Sequence, residues 1–242
     1  MERLIERLRA AARVTVITGA GVSAASGVPT FRGATGMWKQ FRAEDLATPQ
    51  AFARDPRTVW EWYDWRRQLI AKAEPNDAHR VLARWQSRFP TFTLITQNVD
   101  GLHERAGSSA VLRYHGSIWH LRCAAPCREG AAGWQDLRVP HPEVPRCPHC
   151  GGLALPGVVW FGEVIPPAVQ RAASKAAANS DVFITAGTSS LVYPAAGLVH
   201  QAALHGSFTA EINIEATDAS SSVDAAITGP AEELLLRIDC KL

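Results

Sequence analysis

An α/β fold is what this sequence predicts: a Rossmann-like parallel sheet with helices on both faces, and a smaller lobe inserted into it. Three observations carry the prediction. Short runs rich in β-branched residues recur between helix-length stretches, the pattern of a parallel sheet covered on both faces. Three of those runs end at once in glycine or polar residues, at the edge where such sheets hold ligands. Two segments of different composition break the alternation, one rich in aromatics and one holding four of the five cysteines.

Met1 to Leu8 alternates charged and apolar residues at helical spacing and predicts a first helix. Val14-Thr15-Val16-Ile17-Thr18 reads as a buried strand running into Gly19. Residues 36–72, with Trp38, Phe41, Trp60, Trp62, Tyr63 and Trp65, read as a helical insert. Ala78 to Phe89 is a helix with Asn76-Asp77 available as caps. Phe92 to Thr96 is a strand that opens into Gln97-Asn98-Val99-Asp100, and Ala110 to Tyr114 is strand-like and leads to His115-Gly116. Val182 to Ala186 runs into Gly187-Thr188-Ser189-Ser190, and Phe208 to Ile214 is a further strand. The implied division is a discontinuous Rossmann-like domain over 1–35, 73–116 and 158–242. The small lobe is then the helical insert of 36–72 with the cysteine-rich module of 117–157.

Composition bounds the function. At 242 residues, 47% hydrophobic and 20% charged, the chain suits one well-buried α/β domain with a small appended module. A scattered net charge of +2 argues against specific nucleic-acid binding, and the pair Arg66-Arg67 reads most simply as a solvated helix face. No apolar run reaches the roughly 18 residues of a membrane span, and the first residues lack the uninterrupted apolar stretch of a secretion signal. Clustered cysteines in such a chain read as a metal site, leaving Cys240 as a reduced thiol and the cytoplasm as the expected compartment.

Gly19-Ala20-Gly21-Val22-Ser23-Ala24 resembles a dinucleotide fingerprint, in which glycines let the backbone approach a pyrophosphate at a helix N-terminus. A hydride-transferring Rossmann domain wants an acidic residue at the end of its second strand, roughly 20 residues on. Here that stretch is Phe31-Arg32-Gly33-Ala34-Thr35-Gly36-Met37-Trp38, which is neither strand-like nor acidic, so a dehydrogenase is disfavoured.

The longer run from Gly19 to Gly33, including Val28-Pro29-Thr30-Phe31-Arg32-Gly33, resembles the NAD-binding signature of the sirtuins. So, in order, do Thr96-Gln97-Asn98-Val99-Asp100-Gly101-Leu102-His103, His115-Gly116, Val159-Trp160-Phe161-Gly162-Glu163 and Gly187-Thr188-Ser189-Ser190. The resemblance covers nearly the whole chain. It implies an enzyme that consumes NAD to remove acyl groups from lysine side chains of proteins or peptides. It places His115 as the catalytic base, with His103 structural. Asn98 and Asp100 join His115 as catalytic residues: with Phe31, Arg32 and the loop of Gly19, Ala20, Gly21 and Ser23 they would shield the nicotinamide ring from water and orient its glycosidic bond for cleavage. Gln97 and Val99 would lie along the ribose, Gly187, Thr188, Ser189 and Asn213 along the rest of ADP-ribose, and the Ala231 backbone at the adenine. Val158, Phe161, Gly162 and Glu163 would belong to the segment that receives an extended acyl-lysine peptide by strand addition.

Cys123-x3-Cys127 and Cys147-x2-Cys150 have the spacing of a four-thiolate zinc ribbon, with His141 and His149 as competing ligands. Four protein ligands leave no open position, so one structural zinc is expected. Tyr63 and Arg66, three residues apart, share a helix face, where a phenol and a guanidinium can clamp a carboxylate. This Tyr-x-x-Arg pair resembles the acyl pocket of class III sirtuins, which implies succinyl, malonyl or glutaryl lysine above acetyl lysine. The rival readings are a protein ADP-ribosyltransferase on the same NAD site and a non-catalytic zinc-ribbon adaptor. The segment Val159 to Glu163 speaks against the first, and the acidic Glu129, Asp136 and Glu143 within the ribbon speak against the second.

Overall fold

Every residue after Arg13 in the strand β1 (Arg13–Thr18) is β-branched, and every one of them is buried. Such a strand belongs at the centre of a sheet covered on both faces. The computed structural model describes residues 1–30, 37–38, 41–125 and 127–242, with backbone alone at 37, 38 and 41.

Along the chain, α1 (Glu2–Ala10) precedes β1, and α2 (Gly21–Ala24) follows the first glycine loop. The insert contributes β2 (Met37–Trp38), β3 (Phe41–Arg42), α3 (Ala43–Leu46), α4 (Pro49–Arg54) and α5 (Pro56–Lys72). Next come α6 (Asp77–Arg88), β4 (Thr91–Thr96), α7 (Leu102–Arg105), β5 (Val111–Arg113), β6 (Gly116–Cys123), β7 (Trp134–Gln135) and β8 (Ala154–Val158). The chain closes with α8 (Pro167–Ala178), β9 (Val182–Ala186), α9 (Gly197–Leu204), β10 (Phe208–Asn213), β11 (Ala225–Thr228) and α10 (Ala231–Asp239).

Six strands pair in parallel in the order β11-β10-β9-β1-β4-β5. The chain therefore starts in the middle, builds outward through β4 and β5, then returns to β1 and builds the other way. The reversal lies between β1 and β9, the switch point at which open α/β sheets bind ligands. In register, Thr18 of β1 stands beside Thr96 of β4 and Ala186 of β9, so the loops after all three strands leave from one level.

The pleat sorts the core. Val14, Val16, Leu94, Ile184 and Ile212 pack with Leu4 and Leu8 of α1, Leu82 and Trp85 of α6 and Leu235 of α10. Ile17, Ile95 and Phe183 face the opposite way, onto Ala173 and Ala177 of α8 and Leu198 of α9. The helices start where the sequence allows. Asp55 caps α5 through Thr58 N with Pro56 at its first position, and Asn76 caps α6 through Ala78 N.

A third apolar cluster builds the small lobe around Trp60, Trp62, Tyr63, Leu121, Leu155 and Trp160. Its sheet is antiparallel, ordered β7-β6-β8. The sequence pattern anticipates neither β8 nor β11, since β8 reads Ala-Leu-Pro-Gly-Val. As an edge strand β8 tolerates the proline that a central strand would reject.

Gly187, at the switch point, has φ of +56°, and a Cβ on it would stand 2.5 Å from the Val22 amide nitrogen. Gly187→Ala is expected to cost about 2–4 kcal/mol of stability, through backbone strain and overpacking together. Urea unfolding monitored by the circular dichroism of both proteins measures it.

Candidate active site

Two glycine loops meet back to back at the switch point. Gly21 N donates to Gly187 O at 2.8 Å, Gly19 N to Ala186 O at 3.0 Å, and Gly187 N to Ile212 O at 2.9 Å. Added Cβ atoms would stand 2.8 Å from the Gly187 oxygen at Gly19 and 2.9 Å from it at Gly21, so only backbone fits between the loops. The loop after β4 is tied to the same place. Asn98 Nδ2 donates to Gly19 O at 3.0 Å and to Ser23 Oγ at 3.1 Å, while Ser23 Oγ donates to Asp100 Oδ2 at 2.8 Å.

Beneath these groups lies a buried polar layer. His79 Nε2 stands 3.4 Å from Ser23 Oγ, and its Nδ1 meets Asn76 at the head of α6. His103 Nε2 stands 2.9 Å from Thr18 Oγ1, which donates to Thr96 Oγ1. The two imidazoles lie 4.8 Å apart, centre to centre. Burial, with a small push from Arg80, lowers the His79 pKa to about 4; burial, then the neighbouring His79, lowers His103 to about 3. Both rings are neutral at pH 7. Burial also raises the Asp100 pKa above the ordinary carboxylate value, opposed by hydrogen bonds from Leu102 N and Ser23. His79 is a site residue that the sequence reading missed. Its signal is its place at the third position of α6, where a residue reaches back to the cap.

His115 sits at the junction of β5 and β6, half-buried, with Nδ1 3.1 Å from Gln97 O. That contact makes Nδ1 the protonated nitrogen and leaves the Nε2 lone pair unprotonated. Burial lowers its pKa, partly offset by the Gln97 carbonyl, so the ring is neutral near pH 7. Gln97 Nε2 donates to Thr188 Oγ1 at 2.9 Å, and Asn213 Nδ2 to Thr188 O at 3.2 Å, which fixes the loop of Gly187, Thr188 and Ser189. Ala231 opens α10 and is buried. The structure thus gathers His115, Gln97, Asn98, Asp100, Ser23 and both glycine loops at one edge. Phe31 and Arg32 lie outside the described residues.

The Sir2 family model matches residues 19–194. The chain belongs to the Sir2 family. An NAD-dependent protein deacylase of Aquifex aeolicus is 50% identical to this sirtuin over 212 residues, 87% of each chain. The NAD-dependent protein deacylase 1 of Pseudomonas aeruginosa is 44% identical, covering 97% of this chain and 96% of its own. Among solved structures, a Sir2 homologue in complex with NAD superposes with a TM-score of 0.93 at 42% identity, over 99% of this chain and 93% of that one. A Sir2–p53 peptide–NAD complex superposes with a TM-score of 0.87 at 27% identity, covering 98% of this chain and 96% of that one.

On the small-lobe side of this sirtuin, Tyr63 and Arg66 are both buried on α5. Trp160 Nε1 donates to the Tyr63 hydroxyl at 2.8 Å. The Arg66 guanidinium lies 5.4 Å from the centre of the Trp62 ring, within the electrostatic reach of Asp100. Burial lowers the Arg66 pKa and raises that of Tyr63, so each favours its neutral form more than in water. The expectation of a solvated Arg66-Arg67 face is overturned. Arg67 is 0% exposed and donates to Ile118 O at 2.6 Å, Asp136 O at 2.7 Å and Arg138 O at 3.1 Å. Carbonyls and the Asp136 carboxylate compensate its burial.

Val158 ends β8, and Val159 N donates to His115 O. Beyond it the chain turns instead of continuing as a strand. Trp160 N donates to Glu163 Oε2, Glu163 N to Trp160 O and Phe161 N to Ala47 O, while Gly162 has positive φ. The Phe161 side chain is exposed, and the Glu163 carboxylate is held by Arg122.

Cys123, Cys127, Cys147 and Cys150 place all four sulfurs within 4.8 Å of one another. Tetrahedral zinc with four thiolates wants sulfurs about 3.8 Å apart, from bonds of about 2.3 Å. A Cβ on Gly130 would stand 2.8 Å from Cys147 Sγ, so the cradle closes tightly around the sulfurs. The cluster fits zinc. His141 is no ligand: its Nε2 is 3.3 Å from Asp136 Oδ1. His149 is likewise outside the cluster. Purified protein is expected to carry about one zinc per chain, and Cys147→Ser to lose both the metal and thermal stability, read by atomic emission and a melting curve.

The buried histidines set an acid limit on stability. The unfolded chain protonates them near their ordinary pKa of 6.5, while the folded protein keeps them neutral. Their contribution is complete above pH 6.5 and is lost as pH falls toward about 4. The slope approaches 1.4 kcal/mol per pH unit for each ring, roughly, at its steepest. Urea unfolding between pH 7 and 5 should show this decline, and a shallower one in His103→Gln.

Proposed function

We propose that this sirtuin, an NAD-dependent protein deacylase, favours lysines carrying succinyl, malonyl or glutaryl groups over acetyl-lysine, and yields nicotinamide and O-acyl-ADP-ribose. The observation that carries the acyl preference is the burial of a tyrosine hydroxyl and an arginine guanidinium together on one face of α5. A buried guanidinium presents paired donors that suit a carboxylate, and a phenol adds a third. An acetyl group offers no charge to meet them.

NAD, bound across the switch point, supplies an electrophilic ribose carbon that the acyl oxygen attacks as nicotinamide departs. The chain's own residues do the rest. Asn98 and Asp100, held by Gly19 and Ser23, form with Ala20 and Gly21 the wall that orients the nicotinamide end and excludes water, a task that the sirtuin resemblance also gives to Phe31 and Arg32. His115 is the base. Its Nδ1 proton is committed to Gln97 O, and its neutral Nε2 accepts the ribose hydroxyl proton. Gln97 and Val99 line the ribose, Gly187, Thr188, Ser189 and Asn213 the remaining ADP-ribose, and the Ala231 backbone the adenine. The acyl-lysine peptide meets the turn between Val158 and Glu163 at its exposed Phe161 and Gly162, since the amides of Val159, Trp160, Phe161 and Glu163 are already bonded within the chain. The zinc is structural. Among the described residues no helix is long and apolar enough to cross a membrane, and a cytoplasmic site of action suits the clustered thiols.

Two peptides alike except for acetyl- or succinyl-lysine test the proposal, with NAD and mass spectrometry following lysine unmasking and nicotinamide. The wild type should favour the succinyl peptide, and His115→Ala should abolish both reactions. Arg66→Met should reduce desuccinylation roughly 10- to 100-fold, the value of a hydrogen bond to a charged group, and deacetylation far less. Deacetylation that dominates and ignores Arg66 would remove the acidic-acyl preference.

A further inference from the structure

We propose that Trp160 is a positioning residue for acyl specificity: its indole N–H holds the Tyr63 hydroxyl so that the phenol gives its own proton to the carboxylate of an acidic acyl group. This rests on the acidic-acyl reading above.

The contact is direct, with Trp160 Nε1 2.8 Å from Tyr63 Oη and both side chains 3% exposed. A phenol has one proton and can accept as well as donate. With the indole N–H taking one lone-pair direction of the oxygen, the O–H turns to the other orientation within the ring plane that a phenol prefers. An oxygen that already accepts also becomes a stronger donor, since chained hydrogen bonds polarise one another.

Trp160 is itself held on three sides. Its ring packs on Phe52 at 5.6 Å between centres. Its backbone N donates to Glu163 Oε2 at 3.0 Å, and its carbonyl accepts from Glu163 N at 2.9 Å. Glu163 is anchored in turn by Arg122 Nη2, at 2.6 and 2.9 Å from its two oxygens, while the Arg122 guanidinium lies 5.8 Å from the centre of the Trp160 ring. A chain of contacts therefore runs from Arg122 through Glu163 and Trp160 to Tyr63. It begins in β6, crosses the turn after β8 and ends on α5, so the phenol's direction is set by three elements at once. Only a substrate with a terminal carboxylate uses that direction, which makes the effect one of specificity.

The test is a double-substitution cycle read as the ratio of desuccinylation to deacetylation in kcat/KM. Trp160→Phe is expected to lower that ratio roughly five- to tenfold, the usual value of one neutral hydrogen bond, chiefly through KM for the succinyl peptide. In a Tyr63→Phe background the same substitution should leave the ratio where Tyr63→Phe alone puts it. Replacing the Trp160 indole by the isosteric benzothiophene keeps the shape and removes the N–H, so a packing defect in Trp160→Phe does not decide the outcome. A ratio unmoved by the benzothiophene, or moved equally with and without the Tyr63 hydroxyl, overturns the role of Trp160 while the acidic-acyl reading stands. A wild type that prefers acetyl-lysine, with Tyr63→Phe changing neither reaction, overturns both.

Discussion

Where β1 and β9 lie side by side, their following loops press main chain against main chain at Gly19, Gly21 and Gly187. The rest of the site depends on this contact. A side chain at any of the three would hold the loops apart, and Asn98 would then lose the Gly19 carbonyl that fixes its amide. Ser23 follows two residues after Gly21, so its hydroxyl reaches Asp100 only while the loop keeps this path. Gly187 is bound on its other side by Ile212, and Asn213 holds Thr188, which carries the constraint to the far half of the sheet. One backbone approach thus positions residues from four strands.

Around that contact the protein buries an unusual number of polar groups for a site that must also exclude water. Neutral histidines, a carboxylate whose pKa is raised by burial and two buried arginines stand within or beside it. Each costs desolvation, offset in part by local bonds: His103 Nε2 meets Thr18, Asp100 accepts from Ser23 and Leu102 N, and Arg67 donates to carbonyls and Asp136, while His103 Nδ1 and Arg67 Nε have no hydrogen-bond partner among the described residues. Their worth lies in pre-organisation, since groups held in a dry site need not reorient when charge develops.

Much of this was legible in the sequence. The strands at Val14–Thr18, Phe92–Thr96 and Val182–Ala186, the Asn76 cap and the cysteine spacing rest on local signals, and each lies within a residue or two of its expected place. What escaped depends on tertiary pairing. Nothing local distinguishes Arg67, which inserts between β6 and the Asp136 turn, from a surface arginine. Ala225–Thr228 becomes a strand only because β10 offers it a parallel edge, and Val159 to Glu163 turns because Glu163 reaches back to Trp160. Indole N–H partners such as the Tyr63 hydroxyl are set by packing across nearly a hundred residues of chain, which no window of sequence contains.

Helix α5 joins the parts. Trp60, Asp64 and Arg67 recur at helical spacing and face the zinc module, through Trp60 Nε1 to Ala154 O, His141 N to Asp64 Oδ1, and Arg67 to Ile118 O and Asp136 O. Tyr63 and Arg66 lie on the adjoining face, toward Trp160 and the electrostatic field of Asp100. A single rigid rod therefore carries both the grip on the cysteine-rich module and the candidate acyl clamp. A structural metal would still bear on the candidate clamp, because loosening the module would release the carbonyls that hold Arg67, and with them the rotation of α5 that orients Tyr63 and Arg66.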